Sequence, residues 1–184
     1  LRSALVPRER LIEKLNKGLV GKVTIISAPA GFGKTTVVVD WLAQLQRPFG
    51  WLSLDEDDND PHRFFTYVAA ALATVKGETE TVRPAPTLSP KAIATLLLND
   101  LMQMAASGVL VLDDYHLIDV ELIHETLTFF LDHLPPTLHL VLISRSDPPL
   151  PLARMRVRGE LNELRERDLR FTIEETTIFL NQIM

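Results

Sequence analysis

Near the start of the sequence, a β-branched run, a glycine-containing loop and an apolar helix follow one another directly. Residues Val23 to Ser27 predict a buried strand, and apolar residues recur at helical spacing over residues 37–45. The segment between them, residues 28–35, reads Ala-Pro-Ala-Gly-Phe-Gly-Lys-Thr. A strand that enters a helix through such a loop is typical of α/β proteins, so few other fold classes remain open.

This loop contains the residue types that bind phosphate groups. Gly31 and Gly33 permit backbone angles that turn N–H groups toward an anion, and the following helix points its positive end at the same place. In such a loop a lysine bridges the outer phosphates and a hydroxyl reaches magnesium, as Lys34 and Thr35 can do. We therefore predict a nucleotide site with a phosphate-binding loop. Its predicted binding residues are Ala30, Gly31, Phe32, Gly33, Lys34, Thr35 and Thr36.

A second motif ends in two carboxylates. The apolar residues 109–112 predict a buried strand, and Asp113 and Asp114 follow it directly. Carboxylates at a strand end are costly to bury unless they reach solvent or an ion. Beside a phosphate-binding loop, we assign Asp113 and Thr35 to a magnesium ion. We assign Asp114 to the catalytic role of orienting or deprotonating the attacking water.

Two other carboxylates compete with Asp114 for the role of base. Asp55 and Glu56 also follow a predicted strand, residues 51–54, and some P-loop ATPases take their base from the neighbouring strand. We favour Asp114, because the acidic run over residues 55–60 is explained more simply as a solvated loop that caps the next helix.

Arg145 follows the predicted strand over residues 138–143. There a cation could contact the terminal phosphate and so distinguish ATP from ADP. The predicted catalytic residues are therefore Lys34, Asp114 and Arg145. Three further arginines are interpreted as a solvated face rather than as a finger into a neighbouring site, and they are Arg154, Arg156 and Arg158.

The remaining apolar patterns alternate between strands and helices. Further strands are predicted over residues 51–54, 109–112, 138–143 and 161–164. Helices are predicted over residues 37–45, 61–75, 90–104 and 122–134, and a last one starts at Thr172 with Glu175 in a capping box. The alternation predicts one domain, residues 1–184, with a mainly parallel sheet covered on both faces and ligands at the carboxyl ends of its strands.

Composition argues against several classes of function. The formal net charge of −5 gives no field that attracts nucleic acid, so we expect poor DNA binding by this chain. The absence of cysteine excludes disulfides, thiol catalysis and cysteine zinc ligands. No apolar run approaches the ~20 residues that cross a bilayer, so we expect no membrane contact and a cytoplasmic location. The histidines show no metal-ligand spacing and are interpreted as structural.

In their order and spacing, these motifs resemble the ATPase domain of the large ATP-binding LuxR-type transcriptional regulators of the maltose-operon activator type. Those regulators are members of the STAND class of P-loop ATPases. Ala28, which stands where the usual P-loop has its first glycine, is typical of that family. The resemblance covers nearly the whole chain, and its matching segments are residues 5–8, 27–36, 51–55, 60–65, 113–116, 144–145, 156–158 and 169–172.

The resemblance implies a P-loop NTPase fold of three αβα layers, with a five-stranded parallel sheet in the order 5-1-4-3-2, as in AAA+ and STAND proteins. It implies an adenine pocket lined by Val6, Pro7 and Arg8, with ATP or ADP and Mg²⁺ as cofactors. It also implies an ADP-bound resting form and an ATP-bound form that self-associates, and we expect slow or no ATP hydrolysis by this chain alone.

In such regulators a winged-helix segment, a sensor for an inducer and a carboxyl-terminal helix-turn-helix for DNA follow the ATPase domain. The chain starts without methionine and stops inside a predicted helix. We therefore expect it to be the amino-terminal fragment of a longer regulator, in which DNA binding lies outside these residues.

Two other interpretations remain open. A P-loop metabolic kinase would transfer phosphate to a substrate hydroxyl, but the sequence has no obvious arginine-rich lid between helices. A non-catalytic nucleotide-binding adaptor would keep the fold without hydrolysis, although Lys34, Thr35, Asp113 and Asp114 are intact. A GTPase would need an Asn-Lys-x-Asp guanine reader, which the sequence lacks, so adenine is favoured over guanine.

Overall fold

The computed structural model describes residues 6–78 and 84–183 of the chain. A five-stranded sheet forms its centre, with strands β1 (Val23–Ser27), β2 (Phe49–Ser53), β3 (Gly108–Asp113), β4 (Leu138–Ser144) and β5 (Leu161–Arg165). Every neighbouring pair is parallel, and the order is β2-β3-β4-β1-β5. This is the expected order 5-1-4-3-2 counted from the other edge, so the predicted fold class is confirmed.

Helices connect these strands and pack on both faces of the sheet. Within the described ranges the α-helices are α1 (Glu9–Gly18), α2 (Lys34–Leu45), α3 (Pro61–Lys76), α4 (Pro90–Leu101), α5 (Glu121–Asp132), α6 (Leu152–Val157), α7 (Glu166–Leu169) and α8 (Ile173–Ile183). Short 3₁₀ segments cover Glu56–Asn59 and Tyr115–Leu117. As predicted, a polar side chain followed by proline starts α3 and α4, because Asp60 and Ser89 accept N–H groups of the first turn.

Successive strand residues point to opposite faces and feed two separate cores. Ile25 and Leu110 pack on one face with α3, α4 and α5. Ile26 and Val111 pack on the other face with α1 and α2. Since both faces are covered, the central strands are buried along their whole length, which explains their continuous apolar runs.

The observed elements differ from the predicted ones at several places. Helix α5 ends at Asp132 instead of residue 134, and β2 covers Phe49–Ser53 instead of residues 51–54. Helix α1 is not among those predicted from the sequence, although Leu11, Ile12 and Leu15 form its buried face. Helix α4 ends at Leu101 instead of Met104, because the Met104 N–H donates to Leu101 O in a tighter turn. Helices α6 and α7 lie where the sequence indicated only a short arginine-bearing segment and a connection.

The acidic run after β2 caps helices, as predicted, but it is not solvated throughout. Asp60 accepts the Arg63 N–H at 2.7 Å and so caps α3. Asp58 is buried instead of solvated, with 2% of its surface exposed. It turns inward because it accepts the Asp55 N–H at 3.0 Å and lies 3.3 Å from the Arg63 guanidinium. The expectation of a fully solvated loop is therefore wrong for Asp58.

The capping box predicted for the last helix is confirmed. The Thr172 N–H donates to Glu175 Oε2 at 3.0 Å, and the Glu175 N–H donates to Thr172 Oγ1 at 3.2 Å.

Leu5 of the family segment and residues 79–83 of the predicted surface connection lie outside the described residues. Over residues 6–78 and 84–183, no helix combines the length and the apolar character needed to cross a membrane.

Candidate functional site

The predicted site residues come from three strand ends at one edge of the sheet. Strands β3, β4 and β1 are neighbours and run in the same direction, so their carboxyl ends lie side by side. The glycine loop follows β1, Asp113 ends β3 and Arg145 follows β4. The Ala28 N–H donates to Ser144 O at 3.4 Å and fastens the loop to the end of β4. Ligand sites of parallel α/β sheets lie at this edge.

The glycine loop has the backbone of an anion cradle. Gly31 and Gly33 adopt left-handed conformations, with φ of 84° and 73°. A Cβ at either glycine would meet no atom within 4 Å, so the backbone angle rather than crowding requires glycine. Gly33 directly precedes α2, whose first N–H groups have no partner within the helix. This arrangement fits a phosphate group.

Lys34 is buried at the start of α2 and points back over its own loop. Its Nζ donates to Ala28 O at 2.7 Å and to Pro29 O at 2.9 Å. Burial lowers the pKa of Lys34, as does the nearby Arg145 charge, while Asp114 and Asp113 act in the opposite direction. An anionic ligand beside the ammonium group would offset the unfavourable burial of its charge.

Thr35 and Asp113 form the pair that was assigned to magnesium. The Thr35 hydroxyl donates to Asp113 Oδ2 at 3.2 Å, across the gap between α2 and β3. Burial raises the pKa of Asp113, as does the Asp114 charge, whereas its hydrogen bonds and Lys34 lower it. A hydroxyl and a carboxylate are oxygen donors of the kind that Mg²⁺ prefers, so the pair fits this ion.

Asp114 and Arg145 face the same region from two strand ends. Asp114 is half exposed and has a left-handed backbone, with φ of 58°. Arg145 is exposed, and its charge lowers the pKa of Lys34. The structure therefore brings the predicted catalytic residues together, while their catalytic roles stay predictions.

A cavity of about 460 Å³ opens beside the glycine loop. Its volume falls within the roughly 300–1,000 Å³ that is usual for small-molecule sites. The lining residues come from the amino-terminal segment, the glycine loop with α2, and the connection after β5. They are Val6, Arg8, Ala30, Gly31, Phe32, Gly33, Thr36, Val37, Leu169, Arg170 and Phe171.

Two of the three residues expected at an adenine pocket line this cavity. Val6 and Arg8 are buried, whereas Pro7 is exposed and does not line the cavity. Burial alternates along residues 6–8, and the family resemblance places this segment without fixing which of its side chains are buried. Arg8 donates to Leu169 O at 2.5 Å, and its guanidinium lies 4.8 Å from the centre of the Phe171 ring. Arg8 thus forms a wall of the cavity.

The adjoining wall, residues 169–171, was not assigned to the site from the sequence. Leu169 is buried, and Arg170 and Phe171 are exposed at the cavity. The segment was recognised only as part of the family pattern. Its position directly before the capping box of α8 was the available signal, but a contact with the amino-terminal segment some 160 residues away cannot be read from local patterns.

A second cavity, of about 540 Å³, lies between α3 and α4. None of the predicted site residues lines it. The chemistry of the site therefore belongs to the smaller cavity at the strand ends.

The arginines around α6 are exposed, as interpreted from the sequence. Arg154 lies 2.8 Å from Asp132, and Arg158 lies 3.8 Å from the same carboxylate. Arg156 donates to both carboxylate oxygens of Glu163 at 2.8 Å. Each arginine is thus paired with a carboxylate of its own chain.

The fold and the strand-end site define the class of protein. The chain is similar to the crystal structure of Cdc6p from Pyrobaculum aerophilum, with a TM-score of 0.63 and 17% identity over 97% of this chain and 51% of that one. It is also similar to the Aeropyrum pernix Orc1 protein, with a TM-score of 0.56 and 20% identity over 94% of this chain and 47% of that one. The chain therefore has the P-loop AAA+ ATPase fold.

The relatives narrow this class. The chain is 40% identical to the HTH-type transcriptional regulator MalT of Yersinia enterocolitica, over 96% of the residues of this chain. It is also 40% identical to the MalT regulator of Vibrio cholerae, over 99% of the residues of this chain. It spans about one fifth of the length of these relatives. No family model matches the chain. The resemblance to the ATPase domain of the large LuxR-type regulators is therefore confirmed for this part of those proteins.

Proposed function

We propose that this chain is an ATP- and ADP-binding switch domain of the STAND type, which hydrolyses ATP slowly with Mg²⁺. One observation carries the proposal. The glycine loop with Lys34, the pair of Thr35 and Asp113, and the cavity beside Arg8 meet at the carboxyl edge of one sheet. A phosphate cradle, oxygen donors for a cation and a partly apolar cavity are the three parts that a magnesium nucleotide needs.

The adenine base fits the cavity between the amino-terminal segment and residues 169–171. Val6 and Phe171 supply apolar surface there, and the Arg8 guanidinium packs against the Phe171 ring. The phosphates then lie over Gly31 and Gly33, where Lys34 can exchange its loop carbonyl partners for phosphate oxygens. A solved structure of the Aeropyrum pernix Orc2 protein, which shares the fold, is of ADPNP–ADP complexes.

Thr35 and Asp113 would hold Mg²⁺, which when bound neutralises phosphate charge. Asp114 follows Asp113, and its side chain is half exposed. Its carboxylate can therefore reach a water molecule beside the terminal phosphate. Asp114 would orient this water and accept its proton. Arg145 would contact the terminal phosphate, so that ATP and ADP would be bound by different sets of residues.

A difference of this kind is the basis of a switch, because a ligand shifts an equilibrium only by its differential affinity for two states. The relatives are named as HTH-type transcriptional regulators. By extension, we propose that the ATP form favours self-association of a longer regulator. Contact with DNA would be made by a helix-turn-helix domain outside this chain, whose own net charge is −5.

Hydrolysis of radiolabelled ATP by the purified chain with Mg²⁺ tests this proposal. We expect conversion to ADP and phosphate at a rate far below the ~10 s⁻¹ that is typical of enzymes. Asp114→Asn should abolish it, because the amide cannot accept the proton. Glu56→Gln is the matched control and should leave the rate unchanged, since Glu56 is exposed in the 3₁₀ segment after β2.

Three outcomes would contradict the proposal in different ways. Fast steady-state turnover would show an ordinary enzyme instead of a switch, and a phosphorylated small molecule as product would show a kinase. Loss of hydrolysis in Glu56→Gln but not in Asp114→Asn would move the base to the end of β2.

A further inference from the structure

The loop that carries Arg145 is tied to the edge strand β5 by an arginine outside the predicted site. Arg165 ends β5, and its guanidinium pairs with the Asp147 carboxylate in the loop after β4. Asp147 stands two residues after Arg145 in the sequence. Strand β1, which leads into the glycine loop, lies between β4 and β5. The ion pair therefore spans the carboxyl end of β1.

Two small residues lie along the path between Arg165 and Asp147. In the register of the sheet, Ser27 of β1 lies beside Arg165 on one side and beside Ser144 of β4 on the other. Residues in register on parallel strands point to the same face, so these three side chains share one face of the sheet. Both serines are buried. Their short side chains do not obstruct the longer Arg165 side chain.

A second carboxylate holds Arg165 from its own strand. Arg165 donates to Glu163 Oε1 at 2.5 Å, and Arg156 of α6 donates to both oxygens of Glu163 at 2.8 Å. The hydrogen bonds from Arg156 and Arg165 outweigh burial and lower the pKa of Glu163 to about 2. Glu163 is therefore ionised at neutral pH, and the Arg165 guanidinium is fixed between two carboxylates.

This network fixes the position of the Arg145 loop more than it stabilises the fold. Isolated exposed ion pairs contribute little, whereas several charges in a network hold one another in place. The Asp147 side chain is 56% exposed, but that of Arg165 is only 26% exposed. Within the loop, the Ser146 N–H donates to Ser144 Oγ at 3.3 Å. The Arg145 backbone therefore lies between two attached points, the end of β4 and Asp147.

We propose that Arg165 is a positioning residue for Arg145, in which its ion pair with Asp147 holds the loop after β4 so that the Arg145 guanidinium faces the terminal phosphate. This inference rests on the proposed contact of Arg145 with that phosphate. Arg165 does not line the cavity beside the glycine loop, so its loss should act on the nucleotide through Arg145.

Calorimetric affinities for ATP and ADP in the presence of magnesium test the inference. ADP lacks the terminal phosphate, so a displaced Arg145 should weaken the binding of ATP and not that of ADP. We expect Arg165→Gln and Asp147→Asn each to weaken ATP binding by about three- to tenfold and to leave ADP binding unchanged. A merely structural loss would weaken the binding of both nucleotides alike.

Three further measurements make the test specific. Arg156→Gln is the matched control, because Arg156 pairs with the same Glu163 but not with Asp147, and it should bind both nucleotides like the wild type. The double variant of Arg145→Ala and Arg165→Gln should bind ATP no more weakly than Arg145→Ala alone, because the two residues act as one unit. Urea unfolding verifies that each variant is folded, and Asp147→Asn alters only an exposed loop position.

An unchanged ATP affinity in Asp147→Asn would overturn the inference. So would an equal loss of ATP and ADP affinity in Arg165→Gln, or an effect of Arg156→Gln as large as that of Arg165→Gln. In each of these cases the proposed role of Arg145 stands if Arg145→Ala weakens ATP binding selectively. If Arg145→Ala binds ATP normally, that role fails, and the inference fails with it.

Discussion

Burial destabilises the charged forms of Lys34 and Asp113 in the candidate site. Burial lowers the pKa of Lys34 and raises the pKa of Asp113, so each ionised form is less stable than it would be in water. Phosphate oxygens beside Lys34 and a divalent cation beside Asp113 would reverse both effects. The individual residues thus favour a ligand that carries both signs of charge, as a magnesium nucleotide does.

His139 shows the opposite use of a titratable residue, at the end of the sheet away from the site. Its Nε2 lies 2.9 Å from Thr24 Oγ1, and its Nδ1 lies 3.0 Å from Gly21 O. Burial lowers the pKa of His139 to about 4. The side chain therefore stays neutral in the folded protein at pH values where it is protonated in the unfolded chain.

This difference predicts how stability depends on pH. Below pH ~6.5 the unfolded chain binds a proton at His139 that the folded chain does not, so stability falls as the pH falls from about 6.5 to about 4. Between pH 7.5 and pH 5 this histidine should account for roughly 2 kcal/mol of the loss. Urea unfolding of the wild type and of His139→Gln at both pH values measures it. Equal pH dependence in the two proteins would contradict the assignment.

At the scale of elements, the first turn of α1 and the start of α8 are tied together beside the cavity. Arg10 donates to Glu175 Oε1 and Oε2 at 3.0 and 3.1 Å, and Arg8 lies 3.6 Å from the same carboxylate. Glu175 also accepts the Thr172 N–H in its capping box. Burial would raise the pKa of Glu175, but Arg10, the Thr172 N–H and Arg8 outweigh it and lower the pKa.

We predict that Glu175→Gln loosens this tie between α1 and α8. The amide keeps an acceptor for the cap but removes the charge that pairs with Arg8 and Arg10, so the free energy of unfolding should fall by about 1–3 kcal/mol. Nucleotide affinity should fall too, because Arg8 forms a wall of the cavity. Denaturant unfolding and calorimetry measure the two effects. Glu174→Gln, which alters an exposed neighbour, is the control, and equal effects of both variants would contradict the prediction.

The elements also show which parts of the structure were readable from the sequence. Strand β1 was predicted with its correct bounds and β3 to within one residue at each end, because apolar runs and the polar residues after them are local signals. The cavity wall at Leu169 was not predicted, since it depends on a contact with Arg8 that only the folded chain creates. Pro7 was placed at the cavity by family resemblance, which gives a segment but not the direction of each side chain.

Over the whole molecule, the candidate site joins residues from both ends of the described chain. Val6 and Phe171 border the same cavity. All five strands of the sheet lie between these two residues in the sequence. A ligand that binds there contacts the amino-terminal segment, the glycine loop and the connection to α8 at once. Binding only to the folded state would therefore stabilise the fold as a unit, and the free energy of unfolding would rise with the logarithm of the ligand concentration once it exceeds Kd.

Calorimetric titration of the purified chain with ATP and ADP in the presence of magnesium tests whether the strand-end site binds a magnesium nucleotide. Denatured protein is first checked by chromatography for nucleotide that co-purified. We expect the wild type to bind both nucleotides, and Lys34→Ala to bind them roughly thirtyfold more weakly or not at all. Lys17→Ala, at an exposed position of α1, should bind like the wild type. A folded, nucleotide-free wild type that binds neither nucleotide, or a Lys34→Ala variant that binds both normally, would contradict nucleotide binding at this site.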